Sequence, residues 1–375
     1  VRTTSLYAEP KRLAASFDVD EATELLTAVL PDLDAREVRE RLRSGKGFVW
    51  LRREITPAQR DQIHRLGIPG VGFLREAKRS YPNGATLSHV LGMVNVDNQG
   101  LGGIERYIDS QGLAELHRAG FVTDRNQAAV RLSVDLRVQH VLRDELVQAH
   151  QRFRAKAASG VIVDVNTGEV VALASIPDYD PNRPATAAGF ERANRVTTGV
   201  YEMGSVMKAL TVAMAVDSGR FNVNSTLDAR FPMAVGRHSV KDFHPQRRVL
   251  TLPEVFTYSS NIGTSRMALA LGSDHQREFL RRLGQFDRVV TEIGPSTAPL
   301  VPRRWPDITA ATVSFGHGLS VAPLQAVMAT AALVNGGRLI QPTFLRRTPE
   351  EVQAASRQVI RPETSQAMRF LMRLN

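Results

Sequence analysis

The hydrophobic and polar positions in the first third of the chain predict short helices alternating with strands. Apolar residues recur at helical spacing after Asp18 and again after Asp34. Residues 48–51 are predicted to form a short strand. A further helix is expected over about 56–66, with Pro57 just inside its start. We interpret residues 1–130 as an α+β domain without a catalytic constellation.

The pattern changes from about residue 131, where a second domain is expected to run to residue 375. A long amphipathic helix is predicted from about Asp135 to Ala157. Two apolar segments, 160–165 and 169–174, flank an Asn-Thr-Gly turn and predict an antiparallel β-hairpin. A mainly helical stretch is expected over about 205–290, and helical segments continue to the end of the chain.

One predicted helix of the second domain is apolar nearly all round and still contains a lysine. Residues 206–216 are apolar except for Lys208 and Thr211, and Ser218-Gly219 ends the run, so a buried helix is expected over about 205–217. Lysine is scarce in this chain: six of its 48 basic residues are lysines. Of these, Lys208 alone has a serine, Ser205, three residues before it, on the same helix face.

This Ser-x-x-Lys spacing predicts an activated serine. Burial lowers the pKa of a lysine, and a neutral Lys208 amine could take the proton of the Ser205 hydroxyl, making the serine a nucleophile. Free backbone N–H groups in the first helical turn could stabilise an oxyanion. The alternative is coincidence, because about one chance match of this short pattern is expected in a chain of this length and lysines snorkel out of apolar helices.

A second motif, Ser259-Ser260-Asn261, follows 54 residues after Ser205 and contains the only Ser-x-Asn in the chain. The Ser259 hydroxyl could relay a proton between an amine and a leaving group, while the Asn261 amide could hold Lys208 and a substrate carbonyl. The alternative is an ordinary Ser/Asn helix cap. The combination with Ser205 and Lys208 favours the catalytic interpretation.

The amino-acid composition excludes several other classes of protein function. The formal net charge is +10, but the arginines are scattered and no nucleic-acid-binding motif is present, so no nucleic-acid partner is expected. Cysteine is absent, which excludes disulfides and thiol catalysis. His238 and His244 lack a nearby third ligand, so neither a metal nor a cofactor is expected. No apolar run reaches about 18 residues, and the first residue is Val1, so we expect any membrane anchor to lie upstream of this chain.

As a set, these motifs resemble the class B penicillin-binding proteins, and the first domain resembles the pedestal of the division-specific, FtsI-type members. The segments that carry the resemblance to the transpeptidase domain are Val163–Ala174, Glu202–Lys208, Ser259–Gly263 and Ser314–Gln325. Those that resemble the pedestal are Phe73–Gly84, His89–Asn95 and Gly100–Arg106.

The resemblance implies an α+β fold in which a non-catalytic pedestal precedes a serine β-lactamase-like transpeptidase domain with an antiparallel sheet and a helical subdomain. It implies a D,D-transpeptidase that cross-links peptidoglycan at the septum. Ser205 would attack the D-Ala-D-Ala carbonyl of a stem peptide, and β-lactams would acylate the same serine. Lys208 would be the general base, with Ser259 and Asn261 in proton relay and positioning. Ser260, Gly316 and His317 would line the substrate site.

The resemblance also implies a cellular location and partner proteins. The family is anchored in the bacterial inner membrane by one N-terminal helix, with the catalytic domain in the periplasm. It works with a membrane glycosyltransferase of the SEDS type and with other division proteins. The chain departs from the family pattern in one respect: its last lysine is Lys241, so the third motif, Lys-Thr/Ser-Gly, is not in it. We therefore expect the chain as given to be inactive or incomplete. The interval 109–130 also looks short for the family.

Three other functions remain open. The first is an elongation-specific relative, which shares the catalytic motifs. The second is a β-lactam sensor or lactamase that reuses Ser-x-x-Lys, although the pedestal argues against it. The third is a catalytically silent scaffold that recruits division proteins.

Overall fold

The computed structural model of the protein describes residues 1–111 and 129–374. Most of the interval 109–130, which looks short for the family, therefore lies outside the described residues. The chain forms two compact units. The first consists of residues 1–82 and 94–99, and the second of residues 83–93 with the described part of 100–375. The predicted domain boundary at residue 130 stays a prediction.

The first unit is built on a three-stranded antiparallel sheet in which the N-terminal strand is central. The strands are Arg2–Ala8, Val49–Ile55 and Val71–Ala77. The helices are Pro10–Ala14, Val19–Val29, Ala35–Arg43 and Pro57–Arg65. One face of the sheet and the helices share a core that includes Leu6, Leu26, Leu42 and Ile63.

The predicted helix starts in this unit are confirmed, and each has a side-chain cap. The Asp18 carboxylate accepts hydrogen bonds from the backbone N–H groups of Asp20 and Glu21, and Asp34 caps the next helix in the same way. Thr56 and Gln59 form a reciprocal capping box. The first and third strands were not predicted, because their apolar positions alternate too weakly to stand out.

The second unit contains most of the helices and six antiparallel strand pairs among the described residues. Its α-helices are Ser88–Leu91, Gly103–Ser110, Leu136–Arg152, Gly189–Arg192, Met207–Asp217, Leu252–Thr257, Asn261–Leu271, Ser273–Arg282, Asp307–Val313, Pro323–Val334, Pro349–Ala354 and Pro362–Met372. Short 3₁₀ turns cover Gly84–Leu87, Pro184–Thr186 and Gly204–Val206. The paired strands are Ala158–Val163 with Val170–Ile176, Tyr201–Glu202 with Ser320–Val321, Thr226–Asp228 with Val249–Thr251, Met233–Val235 with His238–Val240, Val290–Thr291 with Gly294–Pro295, and Arg338–Ile340 with Ser356–Gln358.

The predicted hairpin and the helix before it pack directly on each other. At Gly160 an added Cβ would lie 2.9 Å from a methyl carbon of Leu142, so the helix side chain packs closely on the strand backbone. The buried Gln139 amide bonds to both the N–H and the C=O of Leu173, each at 2.8 Å. The helix ends at Arg152, earlier than the predicted Ala157, because Arg154 takes a left-handed conformation with φ 47°.

The stretch 205–290 is less helical than predicted. Helices occupy its two ends, but residues 218–251 contain four short strands and no helix. The reason is local: Gly219 and Gly236 have positive φ, and Gly236-Arg237 makes a two-residue hairpin turn. Within the described ranges, no helix is both long enough and apolar enough to cross a membrane.

The helix Met207–Asp217 lies at the centre of the largest hydrophobic core of the second unit. Nine of its residues are buried, including Leu210, Val212 and Met214. Its surroundings include residues of the helices that begin at Asn261, Pro323 and Pro362. A charged side chain near the start of this helix is therefore surrounded by apolar groups.

Candidate active site

The predicted nucleophile lies on a 3₁₀ turn that leads into the buried helix. Gly204–Val206 forms the turn, and the α-helix begins at Met207. Gly204 has φ 53°, a left-handed conformation that glycine adopts without steric cost. The Ser205 side chain is exposed, and its backbone N–H has no backbone acceptor in the part of the chain described. The exposed serine thus has a backbone N–H without a backbone acceptor among the described residues.

Lys208 is buried one turn further on, with 3% of its surface exposed. Its Nζ donates hydrogen bonds to the Ser259 carbonyl oxygen at 2.5 Å and to Ser259 Oγ at 2.8 Å. The structure therefore brings the first and second sequence motifs together through this amine. No hydrogen bond joins Ser205 Oγ to Lys208 in residues 1–111 and 129–374.

The environment of Lys208 makes its amine easier to deprotonate than that of an ordinary lysine. Burial among the apolar side chains lowers the pKa of the ammonium from its usual 10.5 to about 8, while the negative charge of Asp242 opposes this shift. An amine with this pKa is partly deprotonated near neutral pH. It can therefore accept a proton, which an ordinary exposed lysine rarely does at that pH.

Ser259 is held in an unusual backbone conformation at the end of the helix Leu252–Thr257. Its φ is 54°, a left-handed value that is uncommon for residues other than glycine, asparagine and aspartate. Its N–H donates to the Phe256 carbonyl oxygen at 3.1 Å. This conformation turns both the carbonyl and the hydroxyl of Ser259 toward the Lys208 amine. Such strain persists where the surrounding structure enforces it, as at many functional sites.

Ser260 has a capping role in this structure. It is 1% exposed, and its hydroxyl accepts the Gly263 N–H at 3.0 Å and donates to Asp242 Oδ2 at 2.8 Å. Both interactions are internal, so the Ser260 hydroxyl holds the turn in place. Its predicted contact with substrate stays a prediction.

Asp242 is a component of the site that the sequence did not reveal. Its second oxygen, Oδ1, accepts the Ile262 N–H at 2.9 Å, so the carboxylate holds the start of the helix Asn261–Leu271 from outside. The surrounding sequence, Lys241-Asp242-Phe243-His244, matches no pattern that would single out the aspartate. Only the fold brings it to the Ser-Ser-Asn turn.

Asn261 contacts a different partner from the one predicted. Its Nδ2 donates to the Lys241 carbonyl oxygen at 2.9 Å. The side chain is partly exposed, and no hydrogen bond to Lys208 is present in the described residues. Its amide oxygen remains available, so the predicted role toward a substrate carbonyl or Lys208 stays a prediction.

Gly316 packs against the backbone of the nucleophile turn. An added Cβ at Gly316 would lie 2.0 Å from the Gly204 carbonyl oxygen, and its φ is 93°. The Gly204 N–H donates to the Gly316 carbonyl oxygen at 3.3 Å. Only glycine fits here, and the loop that contains it is placed directly beside Ser205. The predicted contact of Gly316 with substrate stays a prediction.

Glu202 links the same loop to the segment before Ser205, and it was also missed from sequence. Its Oε1 accepts the Gly318 N–H at 2.6 Å, and His317 Nδ1 lies 3.2 Å from its Oε2. These two contacts lower the pKa of the Glu202 carboxyl. The His317 side chain is exposed and contacts Glu202, three residues before Ser205, which is compatible with its predicted place in the substrate site.

Ser314, at the start of this loop, joins the helices that follow the two motifs. The Thr211 hydroxyl, from the helix that contains Lys208, donates to the Ser314 carbonyl oxygen at 2.8 Å. The Ser265 hydroxyl, from the helix after Asn261, lies 3.4 Å from Ser314 Oγ. Both interactions are buried. The nucleophile turn, the Ser-Ser-Asn turn and the glycine loop are therefore fixed relative to one another.

Comparison with known proteins assigns the chain to a protein family. The family model described as "Penicillin binding protein transpeptidase domain" matches residues 158–375, and the model described as "Penicillin-binding Protein dimerisation domain" matches residues 2–112. The first match covers more than half of the chain. The chain belongs to the penicillin-binding protein transpeptidase family. The predicted family and fold class are thereby confirmed.

Curated relatives agree with this family. The chain is 37% identical over 371 residues to the "Probable peptidoglycan D,D-transpeptidase FtsI" of Caulobacter vibrioides, a match that covers 99% of this chain and 61% of the relative. It is 33% identical over 356 residues to the "Peptidoglycan D,D-transpeptidase FtsI" of Escherichia coli K12, covering 90% of this chain and 60% of the relative. The chain thus spans about three fifths of the length of these proteins.

A solved structure from Atopobium parvulum supports the fold. It superposes with a TM-score of 0.67 over 79% of this chain and 71% of its own, at 24% identity. At that identity the likeness concerns the fold alone. It shows that the fold described above occurs in an experimentally determined protein.

Proposed function

We propose that this chain carries the acyl-transfer site of a peptidoglycan D,D-transpeptidase that cross-links stem peptides at the division septum. Ser205 is the nucleophile, Lys208 the general base, and Ser259 the proton relay. Asn261 orients the substrate, and His317 lies at the rim of the cleft. β-Lactam antibiotics acylate the same serine because their ring amide mimics the D-Ala-D-Ala bond.

Acylation proceeds in one addition and one elimination. Ser205 Oγ bonds to the carbonyl carbon of the penultimate D-alanine, and its proton passes to the neutral Lys208 amine. The backbone N–H of Ser205 is free to donate to the resulting oxyanion. The C–N bond then breaks, and the terminal D-alanine leaves as an amine after taking the proton from Lys208 through the Ser259 hydroxyl, which lies 2.8 Å from Nζ.

Transfer to the acceptor reverses these roles. An amine of a neighbouring stem peptide attacks the carbonyl carbon of the Ser205 ester and gives up one proton to Lys208. The C–O bond to Ser205 breaks, and the proton returns to the serine oxygen. The products are the cross-linking amide and the free enzyme, so no external oxidant, reductant or metal is required.

One observation supports this proposal above the others. A lysine that is 3% exposed, with its pKa lowered to about 8, lies one turn after an exposed serine and bonds to the serine of a second motif. Burying a charged lysine is costly, and a lysine that only stabilised the protein through surface contacts would not need to be buried. Arginine accounts for 42 of the 48 Lys and Arg residues of this chain, yet this position has a lysine. The general base here must give up its proton to become a neutral amine, which lysine does far more readily than arginine.

The same proposal includes the cellular location of the protein and its partners. An N-terminal helix upstream of this chain anchors the protein in the bacterial inner membrane, with the catalytic domain in the periplasm. A SEDS-type glycosyltransferase and other division proteins act with it. An elongation-specific role would use the same chemistry at the side wall.

Labelling with a fluorescent penicillin tests the nucleophile in the full-length protein. Wild type and Ser110→Ala, which removes an exposed hydroxyl at the end of the helix Gly103–Ser110, are expected to be labelled. Ser205→Ala is expected to lose the label. Persistent labelling of Ser205→Ala overturns the assignment of the nucleophile.

Cellular tests separate the alternatives. Depletion of the protein is expected to block septation, and a fluorescent fusion is expected to localise at midcell. Localisation along the side wall favours the elongation-specific function. Rescue of division by Ser205→Ala favours the silent scaffold, because that variant keeps the fold and lacks the nucleophile.

A further inference from the structure

The segment that follows the hairpin Met233–Val240 is fixed directly beside the catalytic turn. Asn261 Nδ2 holds the Lys241 carbonyl oxygen at 2.9 Å. The next residue, Asp242, accepts hydrogen bonds from Ser260 and from the Ile262 backbone. Three hydrogen bonds over two residues therefore set the position of the Lys241 backbone beside the Ser-Ser-Asn turn, and Lys241 itself is exposed.

This segment carries exposed cations that no acidic group neutralises. The side chains of Arg237, Lys241 and Arg247 are exposed, and none has a carboxylate within 4.0 Å in the described part of the chain. Arg248 differs, because it pairs with Glu254 at 2.7 Å. Elsewhere in this unit many arginines are paired in the same way.

The one acid in the segment does not neutralise them. Asp242 uses one carboxylate oxygen for the Ser260 hydroxyl and the other for the Ile262 N–H. Its charge also acts on the buried Lys208. Residues 237–247 therefore present three positive charges to solvent next to a reaction centre. Such an arrangement attracts an anionic ligand.

An aromatic side chain accompanies the cations. Phe243, two residues after Lys241, is 88% exposed, and its ring packs edge-on to His244 with centroids 4.7 Å apart. Tyr258, immediately before the catalytic Ser259, is also exposed. A surface that combines free cations with exposed rings is suited to a peptide that has both aliphatic and carboxylate groups.

We propose that Lys241 is the principal cation of a subsite that binds a free side-chain carboxylate of the stem peptide, away from the reacting D-Ala-D-Ala end. This inference rests on the proposed transpeptidase function and adds a substrate preference to it. Arg237 and Arg247 strengthen the positive potential of the subsite. The preferred donor is thus an anionic peptide, and amidation of its side-chain carboxylate weakens binding.

The test compares two synthetic pentapeptides that end in D-alanyl-D-alanine. The third residue of one carries a side-chain carboxylate, and in the other that group is a carboxamide. Each peptide competes with a fluorescent penicillin for the full-length protein, and the slowing of acylation gives its inhibition constant. The readout is the ratio of the carboxamide constant to the carboxylate constant within each variant, so changes in the acylation rate itself cancel.

A single exposed charge pair predicts a ratio of about 3 to 10 in wild type, falling toward one as salt screens the interaction. Lys241→Ala is expected to bring the ratio to about one, and Lys241→Glu to reverse it. Lys156→Ala removes a similarly exposed lysine of the same unit and is expected to keep the wild-type ratio.

Each other outcome overturns the proposal. A wild-type ratio near one, or no competition by either peptide, shows that no carboxylate subsite exists. A ratio that survives Lys241→Ala shows that the carboxylate is bound elsewhere. Failure of the proposed function is distinct from all of these, because it appears as absence of penicillin labelling at Ser205 before any peptide is added.

Discussion

The lowered pKa of Lys208 predicts a specific pH dependence for the acylation of Ser205. Burial moves this pKa from 10.5 to about 8. At pH 7, a base with that pKa is neutral in about one molecule in ten, whereas an unperturbed lysine is neutral in about one in 3,000. The shift therefore provides about 300-fold more free base at neutral pH.

The assay measures the second-order rate constant for acylation by a fluorescent penicillin between pH 6 and pH 10, with brief incubations and with far-UV circular dichroism to verify the fold. If only the neutral amine accepts the serine proton, the rate constant rises about 90-fold from pH 6 to pH 9, bends near pH 8 and then levels. Lys208→Arg, which keeps a permanent cation, is expected to be slow at every pH.

A neighbouring charge provides an independent check on the sign. The Asp242 carboxylate raises the pKa of Lys208, so Asp242→Asn should move the bend to lower pH. Asparagine has nearly the same shape and can still accept the Ile262 N–H. A rate constant that climbs steadily to pH 10, a flat profile, or a bend that moves to higher pH in Asp242→Asn would refute the assignment of Lys208 as the base.

Three further predictions concern the supports of the site. The folded-state pKa of Lys208 lies below its unfolded value, so protonation of this lysine lowers the free energy of unfolding by about 3 kcal/mol at pH 7, and this loss vanishes as the pH rises toward 10.5. Lys208→Met should therefore raise Tm by several degrees at pH 7 and by less at pH 10. An equal or lower Tm of the variant at pH 7 would contradict this. Gly316→Ala should destabilise the protein in urea unfolding by at least about 2 kcal/mol more than Gly318→Ala, because both glycines have positive φ but only the first Cβ meets the Gly204 carbonyl; equal losses would exclude the clash. Glu202→Ala should slow penicillin acylation about tenfold and Glu202→Gln less, since glutamine can still accept the Gly318 N–H, whereas equal rates for all three proteins would show that the loop needs no such contact.

The parts of the fold that the sequence predicts are those with strong local signals. Asp18, Asp34 and Thr56 begin helices because their side chains satisfy free backbone N–H groups, and this chemistry is readable from neighbouring residues. The hairpin of the strands Ala158–Val163 and Val170–Ile176 is equally local, because its turn is signalled by Asn166-Thr167-Gly168. The strands Arg2–Ala8 and Val71–Ala77 were missed because their partners are distant in sequence, and their residues alternate only weakly between buried and exposed.

The residues of the candidate site likewise fall into those that the sequence reveals and those that only the fold reveals. Ser205, Lys208 and Ser259 stand out because each belongs to a short spaced motif. Asp242 belongs to no such motif, and Glu202, although it begins the segment Glu202–Lys208, was given no role there. Their roles come from contacts across 18 and 116 positions of the chain. Long-range hydrogen bonds of this kind depend on the tertiary fold, so residue spacing alone does not reveal them.

Peptide mapping by mass spectrometry, on the full-length protein after brief reaction with penicillin at pH 8, tests the activation of Ser205 directly. We expect one adduct, on the peptide that contains Ser205, and we expect Lys208→Ala to form it far more slowly. An adduct on Ser259, or an adduct on Ser205 that forms at an unchanged rate without the lysine, would contradict the claim that the buried amine activates this serine.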